Sequence, residues 1–179
     1  MARTADRDPA AAIRGLTRAE RVYTLFLMDD EDLRRALGRV ARECTAANLR
    51  RAARAVASIY DAQIAPTGLR STQFSLLTAI ALAGDVPVAR LAEILGLDRT
   101  TMTRNLAPLE RDGLVESRPT ADRRVRQVRL TASGRQLVRR ALPRWEAAQR
   151  LVVEALGESG WRQLMDRLRT AAAITEDRS

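Results

Sequence analysis

The side chains of this 179-residue chain that can do chemistry are arginines, hydroxyl groups and carboxylates. All 31 basic residues are arginine, and the chain contains neither lysine nor histidine. The lack of lysine excludes a Schiff base and a phosphate-loop lysine, and the lack of histidine excludes a Ser-His-Asp triad and a histidine metal site. The single cysteine, Cys44, forms neither an internal disulfide nor a cysteine-rich zinc site. Anion binding by arginine is therefore the leading chemistry, and carboxylate catalysis is the enzymatic alternative.

The arginine excess is concentrated in the middle of the chain. The net charge is +9, and residues 90–140 carry +6 of it, with twelve arginines and six acidic residues. Within this region, residues 117–130 contain five arginines and one aspartate. An arginine excess without matching acids indicates phosphate binding, although charges also protect exposed strands from aggregation. The carboxylate pair Glu110 and Asp112 lies beside arginines at a helix end, which favours a charged helix surface over an active site.

The pattern of residues 88–130 predicts two helices followed by a β-ribbon. Residues 88–95 form a short helix, Gly96 ends it, and Asp98 is the N-cap of a second helix over 99–111. A strand-like run at 114–117, a basic turn at 118–126 and alternation at Val128 and Leu130 then predict two paired strands. A ribbon with an arginine-rich tip directly after a recognition helix is a winged helix-turn-helix. The predicted fold class is mainly α with a small two- to three-stranded β-wing, combined with further helices.

Long amphipathic helices are predicted on both sides of this block. They cover residues 31–64, 71–83, a stretch from Thr131 that Gly157 ends, and 158–173. Pro143 is expected to kink the third of these helices, and Pro108 to bend the helix over 99–111. Residues 1–16 are predicted to be a poorly ordered arm, followed by a short amphipathic helix over 17–28 that Thr17 caps. No stretch approaches 18 uncharged apolar residues, so we expect a cytoplasmic protein without a transmembrane helix or signal peptide.

Three runs of residues carry a specific ordered pattern. They are Gly68–Leu77, Val88–Arg104 and Leu109–Val115, followed by Asp122-Arg123-Arg124 and the Leu-Thr-x-x-Gly sequence of 130–134. This combination resembles the MarR family of bacterial transcriptional regulators over roughly residues 45–175. The resemblance implies that 31–66 and 131–175 form a helical dimerisation region and that 67–130 form a DNA-binding lobe. Residues 1–30, which comprise the arm and the short helix, lie outside it.

The resemblance also implies a partner and a mechanism. A homodimer would present two recognition helices to successive major grooves of a near-palindromic double-stranded DNA operator. We expect a repressor without a cofactor or bound metal, relieved by a small effector that changes the spacing of the recognition helices. An architectural protein that binds DNA without sequence preference is the alternative from another class. We expect no enzymatic activity.

Two groups of residues are predicted to contact DNA. Short hydroxyls and arginines at the start of the recognition helix reach phosphates and bases; they are Arg99, Thr100, Thr101, Thr103 and Arg104. In the wing, Arg124 resembles the family arginine that enters the minor groove, and Asp122 the carboxylate that orients it. Arg123 and Arg126 are predicted to contact phosphates.

Effector sensing is assigned to residues nearer the dimerisation helices. The family's ligand pocket implies as its lining here Asn48, Arg51, Ala55, Phe74 and Trp145. Arg51 suits an anionic, aromatic ligand, whereas core packing is the alternative for the apolar members. Cys44, near a helix N-terminus and beside Arg42, is a candidate redox sensor, with a core cysteine as the alternative. Arg70 stands where the family often has a capping threonine, so Ser71 is expected to cap the helix over 71–83.

Overall fold

The structure is a computed structural model, and it describes Thr17, residues 29–119 and residues 126–174. The predicted arm at 1–16, most of the predicted helix over 17–28 and the wing tip at 120–125 lie outside the described residues. The chain divides into two compact units, Met1–Ala52 and Ala53–Ser179. No helix within the described part of the chain has the length and apolar character needed to cross a membrane.

The first unit contains helix α1 (Asp30–Glu43) and the start of helix α2 (Thr45–Ile64). Asp29 caps α1 by accepting a hydrogen bond from the backbone N–H of Asp32 at 2.7 Å. No residue of α1 is buried. The apolar stripe of α1 therefore remains exposed in the single chain, and it consists of Leu33, Leu37 and Val40, which are 39–59% exposed.

The predicted single helix over 31–64 is wrong at one residue. Cys44 adopts an extended conformation, with φ −61° and ψ 103°, and separates α1 from α2. The Asn48 side-chain amide donates hydrogen bonds to the carbonyl of Arg42 at 2.8 Å and to that of Cys44 at 3.2 Å. Carbonyls at a helix end need such partners, so the Asn48 side chain stabilises the break.

The second unit begins within α2 and contains the remaining elements. These elements are a 3₁₀ turn (Ala65–Thr67), α3 (Ser71–Ala83), β1 (Val86–Pro87), α4 (Val88–Ile94), α5 (Arg99–Arg111), β2 (Val115–Pro119), β3 (Arg126–Leu130), α6 (Ala132–Leu156) and α7 (Glu158–Ala173). Helices α3, α5 and α7 match their predicted bounds, and α6 ends before Gly157 as expected. Both α5 and α6 continue through their internal prolines, Pro108 and Pro143.

The three strands form an antiparallel sheet in the order β1-β3-β2. Val128 in the central strand β3 is opposite Val86 on one side and Ser117 on the other. The predicted ribbon is thus extended by a short third strand, which confirms the predicted fold class. The core lies between this sheet and the helices; its fully buried large side chains are Ile64, Leu77, Ile80, Leu91, Met102, Leu109 and Val128.

Candidate nucleic-acid interface

Helix α5 has one buried face and one polar exposed face. Met102, Leu106 and Leu109 are buried, at the spacing that places them on one side of a helix. The exposed face carries the i, i+4 pairs Arg99–Thr103 and Thr100–Arg104. Within the described part of the chain, neither arginine has a carboxylate partner. The first six residues of α5 therefore offer two arginines without carboxylate partners and three threonine hydroxyl groups. Thr101 is half-buried, and the other two threonines are exposed.

Asp98 organises the beginning of α5. Its carboxylate accepts hydrogen bonds from the Thr101 backbone N–H at 2.9 Å and from the Thr101 hydroxyl at 2.6 Å. These bonds, with the hydroxyl contributing most, lower the pKa of Asp98 below its usual value. Asp98 is thus an N-cap that stays ionised and leaves the positions after it in helical register.

The predicted threonine contacts differ in their present hydrogen bonding. Thr101 donates its hydroxyl proton to Asp98, and Thr103 donates its own to the carbonyl of Arg99 at 2.9 Å. Phosphate oxygens only accept hydrogen bonds, so both hydroxyls must rotate before they donate to DNA. Within the described residues, the Thr100 hydroxyl has no such internal partner.

The turn before α5 has the predicted form. Gly96 has a positive φ of 61°, and the Leu97 N–H donates to the Ala92 carbonyl at 2.9 Å. Leu91 and Ala92 of α4 are buried in the same core as Met102 of α5. The turn is therefore tied to α4 by its backbone, and both helices are fixed to each other through the core.

The wing arginines have acidic partners that lie outside residues 117–130. Glu116 accepts from Arg129 at 2.6 Å and from Arg118 at 3.2 Å. Arg129, through its hydrogen bond, lowers the pKa of Glu116 below its ordinary value. Glu110 accepts from Arg126 at 3.0 Å. The interpretation of this segment as arginines without matching acids is therefore wrong for three of its five arginines, because folding brings Glu110 and Glu116 to them.

The predicted wing contacts divide accordingly. Arg126 donates to Glu110, so its predicted phosphate contact requires that it leave this partner or share it. Asp122, Arg123 and Arg124 lie outside the described residues, and their roles stay predictions. The sequence interpretation placed Glu110 on the helix surface and missed its partners, since the pairing joins residues 16 positions apart.

The base of the wing is tied to the C-terminal end of α5. The Thr131 hydroxyl donates to the Gly113 carbonyl at 2.7 Å and accepts from the Gly134 N–H at 3.0 Å, as an N-cap of α6. The Ser133 hydroxyl donates to the same Gly113 carbonyl at 2.8 Å. The Leu-Thr-x-x-Gly sequence thus joins the end of β3, the start of α6 and the turn after α5.

A cavity of about 380 Å³ lies within the second unit. Its lining residues are Ala53, Val56, Ala57, Tyr60, Ile64, Ser71, Ser75 and Trp145. Of the predicted ligand-binding residues, Trp145 lines this cavity, Phe74 is a core residue at 4% exposure, and Ala55 is exposed on α2. The cavity is mainly apolar, with the hydroxyl groups of two serines and one tyrosine.

The remaining predicted sensor residues lie in the first unit. Asn48 is engaged at the α1–α2 break, and its side-chain oxygen accepts from Arg51 at 2.6 Å. Cys44 is half-buried at that break, directly before the first residue of α2. Its predicted place near a helix N-terminus is confirmed, and its redox role stays a prediction.

The N-terminus of α3 is capped by Asp61, which the sequence interpretation missed. The Ser71 N–H donates to Asp61 of α2 at 2.7 Å, and the Arg70 N–H donates to the side chain of Gln73 at 2.9 Å. The predicted capping role of Ser71 is wrong, because Ser71 is the first helical residue and its own N–H is the group that receives a cap.

Comparisons with known proteins agree on one family. Residues 67–124 match the model described as the MarR family. The structure is similar to that of the transcriptional regulator MosR of M. tuberculosis, solved in complex with DNA, with 38% identity and a TM-score of 0.65. This similarity covers 73% of this chain and 98% of MosR.

Two further similarities extend the comparison. The transcriptional repressor CouR, solved bound to a 23-mer DNA duplex, has 27% identity and a TM-score of 0.69, covering 76% of this chain and 96% of CouR. An uncharacterized HTH-type transcriptional regulator, YwoH of Bacillus subtilis, is 31% identical over 83 residues, which is 46% of this chain. The chain spans 61% of the length of this curated relative.

Proposed function

The chain belongs to the MarR family of DNA-binding transcriptional regulators, and we propose that it is a homodimeric repressor that binds a near-palindromic operator. The matching proteins are transcriptional regulators, and we expect no enzymatic activity of this chain. Each protomer contributes α5 to a major groove and the wing to the adjacent minor groove. Such a regulator acts in the cytoplasm, where bacterial DNA lies.

The observation that carries the DNA-binding proposal is the division of α5 into two faces. A recognition helix must be held by its lobe on one side and present base-reading side chains on the other. Met102, Leu106 and Leu109 hold the helix, and Arg99 and Arg104 are exposed without carboxylate partners in the described part of the chain. Arginine reads guanine by two parallel hydrogen bonds, and each such contact is worth about 1–3 kcal/mol of discrimination.

The proposed dimer follows from apolar surface that one chain leaves uncovered. Helix α7 has no buried residue, and α1 has none either. Both helices nevertheless carry large apolar side chains at helical spacing, with Leu164 and Leu168 in α7 and Leu33, Leu37 and Val40 in α1. Residues 141–179 have six arginines and six acidic residues, so their net charge does not oppose self-association. A second copy is the partner that covers these faces, and 31–66 with 131–175 form the dimerisation region.

Relief of repression is assigned to a small molecule in the cavity lined by Tyr60, Ser71 and Trp145. The cavity adjoins both α2 and α3, because it is lined by residues of each. A ligand that separates these helices would alter the spacing of the two α5 helices from the 34–36 Å that one turn of DNA requires. An aromatic body with one or two polar groups suits this lining.

Fluorescence anisotropy with the DNA upstream of the gene and with a scrambled duplex tests the operator proposal. We expect wild type to prefer the upstream DNA by about 10³-fold or more. Arg104→Ala is expected to weaken that binding by about 10–100-fold, the loss of one base contact. The matched control is Arg139→Ala, which removes the same charge from α6 and leaves the preference intact.

Other outcomes would decide against the proposal. Equal and steeply salt-dependent binding to both duplexes would favour an architectural DNA-binding protein. Loss of specific binding in Arg139→Ala as large as in Arg104→Ala would show that charge alone, and not α5, determines the affinity.

A further inference from the structure

Glu110 contacts both strands of the wing from the C-terminal turn of α5. Its Oε1 atom accepts a hydrogen bond from the Ser117 hydroxyl of β2 and another from Arg126 Nη2 of β3, at 3.0 Å. The Glu110 side chain is 30% exposed, so water shields this pair only in part. Within the described residues, Glu110 is the one side chain of α5 that forms a hydrogen bond or ion pair with either strand.

The contact with Arg126 lies at the end of the sheet that is farther from the base of the wing. Near its base, the wing is held by the buried side chains of Val115, Val128 and Leu130. Toward the tip, the described cross-strand pairs are Arg118–Gln127 and Pro119–Arg126. Arg126 is therefore in the last described pair, and its link to Glu110 ties that end of the sheet to α5. Without it, the outer part of the ribbon has no polar attachment to α5 among the described residues.

The second acidic residue of the wing does something different. Glu116 bonds Arg129 and Arg118, which both belong to the sheet itself. It joins strand to strand, whereas Glu110 joins helix to strands. Of these two acids, only Glu110 connects the recognition helix to the wing.

We propose that Glu110, held by Ser117 and Arg126, is a positioning residue for operator binding, which fixes the wing relative to α5. This inference rests on the proposed operator binding by α5 and the wing. Because DNA requires a fixed offset between its major and minor grooves, a wing that is free to tilt reads the operator less well. Arg126 then anchors the wing, which is a different role from the predicted phosphate contact.

The sign of the effect separates this role from simple electrostatics. Glu110→Gln removes a negative charge beside DNA, so charge alone predicts tighter binding to every duplex. Positioning predicts weaker binding to the operator, by about tenfold or more, with random DNA bound equally or more tightly. Glu93→Gln is the matched control, because Glu93 is an exposed glutamate in an ion pair with Arg90 at 2.8 Å on α4.

The experiment measures anisotropy on both duplexes and hydrogen–deuterium exchange in the full-length chain. We expect faster exchange of β2 and β3 amides in Glu110→Gln and in Arg126→Gln, with Glu93→Gln unchanged. The double variant E110Q/R126Q should lose no more operator affinity than one single variant, since both remove the same link. The charge-swapped variant E110R/R126E should recover part of the operator preference.

Two results would overturn the positioning role. If the β2 and β3 amides of Glu110→Gln exchange as slowly as those of wild type, the link does not hold the wing. This exchange measurement is made on the protein without DNA. A change of operator and random affinity by the same factor would assign the effect to charge. Failure of wild type to prefer the upstream DNA would instead contradict the proposed function, and the exchange data would still decide whether Glu110 fixes the wing.

Discussion

Gly134 of α6 packs directly on the carbonyl group of Leu114, at the junction between the recognition helix and the wing. A β-carbon at position 134 would overlap the Leu114 carbonyl oxygen, and it would lie 3.0 Å from the Leu114 carbonyl carbon and 3.2 Å from a methyl group of Leu130. Leu114 already donates its N–H to Leu109 and accepts from Thr131, so its peptide group has little freedom to move. Gly134 has an ordinary helical conformation, so its φ angle does not require glycine. Glycine is required because the two backbones approach each other closely.

Gly134→Ala is expected to destabilise the chain by about 1–3 kcal/mol, the usual cost of forcing extra volume into a packed site. At this chain length, each kcal/mol lowers Tm by about 2–4 °C. Thermal unfolding followed by circular dichroism measures the change. Gly160→Ala in α7 is the control, because its β-carbon would lie 3.9 Å from the nearest group and helix propensity favours alanine. A Tm for Gly134→Ala equal to or above that of wild type would contradict the close approach.

Asp61→Ala is expected to lower the free energy of unfolding at neutral pH by about 1 kcal/mol, as for a helix N-cap. The bond from the Ser71 N–H is the main cause that lowers the pKa of Asp61 below its usual 3.8. A lowered folded-state pKa gives stability that is present above the unfolded pKa and is lost as pH falls through the folded one. The difference between wild type and variant should therefore shrink below about pH 4.

Urea unfolding at pH 7 and near pH 3 checks this dependence on Asp61. Asp85→Ala removes an exposed aspartate between α3 and β1 and serves as the control. An Asp61→Ala effect that is constant with pH would mean that the carboxylate charge does not stabilise α3.

Tyr60→Phe is expected to destabilise the second unit by about 0.5–1.5 kcal/mol, because it removes the hydrogen bond from the Tyr60 hydroxyl to Gln149. This bond joins α2 to α6 beside the cavity, and burial raises the pKa of Tyr60. A double-mutant cycle with Gln149→Leu, read by chemical unfolding, isolates the pair. Strict additivity of the two single variants would argue against the bond.

Leu164→Glu combined with Leu168→Glu is expected to convert the proposed dimer to monomers, because two carboxylates would be buried in an apolar interface. Light scattering after size-exclusion chromatography gives the mass directly. Leu82→Glu is the control, because Leu82 lies on α3, outside the proposed dimerisation region. Its exposed fraction is 85%, whereas those of Leu164 and Leu168 are 36% and 37%. A dimer that persists in the double variant would exclude α7 from the interface, and a monomeric wild type would exclude the dimer itself.

The sequence by itself determined the elements whose signals are local. Helices α5 and α7 have the predicted bounds because their N-terminal ends are set by nearby residues, Asp98 before α5 and Gly157 before α7. The wing was predictable because a turn, a period-2 pattern and a basic loop follow one another within twenty residues. These features depend on neighbours along the chain, which a sequence displays directly.

Tertiary structure decided the polar partners. The cap of α3 comes from Asp61, ten residues before Ser71, and the partner of Arg126 is Glu110, sixteen residues earlier. At the helix break before α2, the Asn48 side chain likewise donates to the Arg42 carbonyl, six residues earlier, which residue types alone do not indicate. Many surface carboxylates and amides of this arginine-rich chain are equally plausible partners by type. Folding selects among them by the direction in which each side chain points, and no pattern of residue types contains that direction.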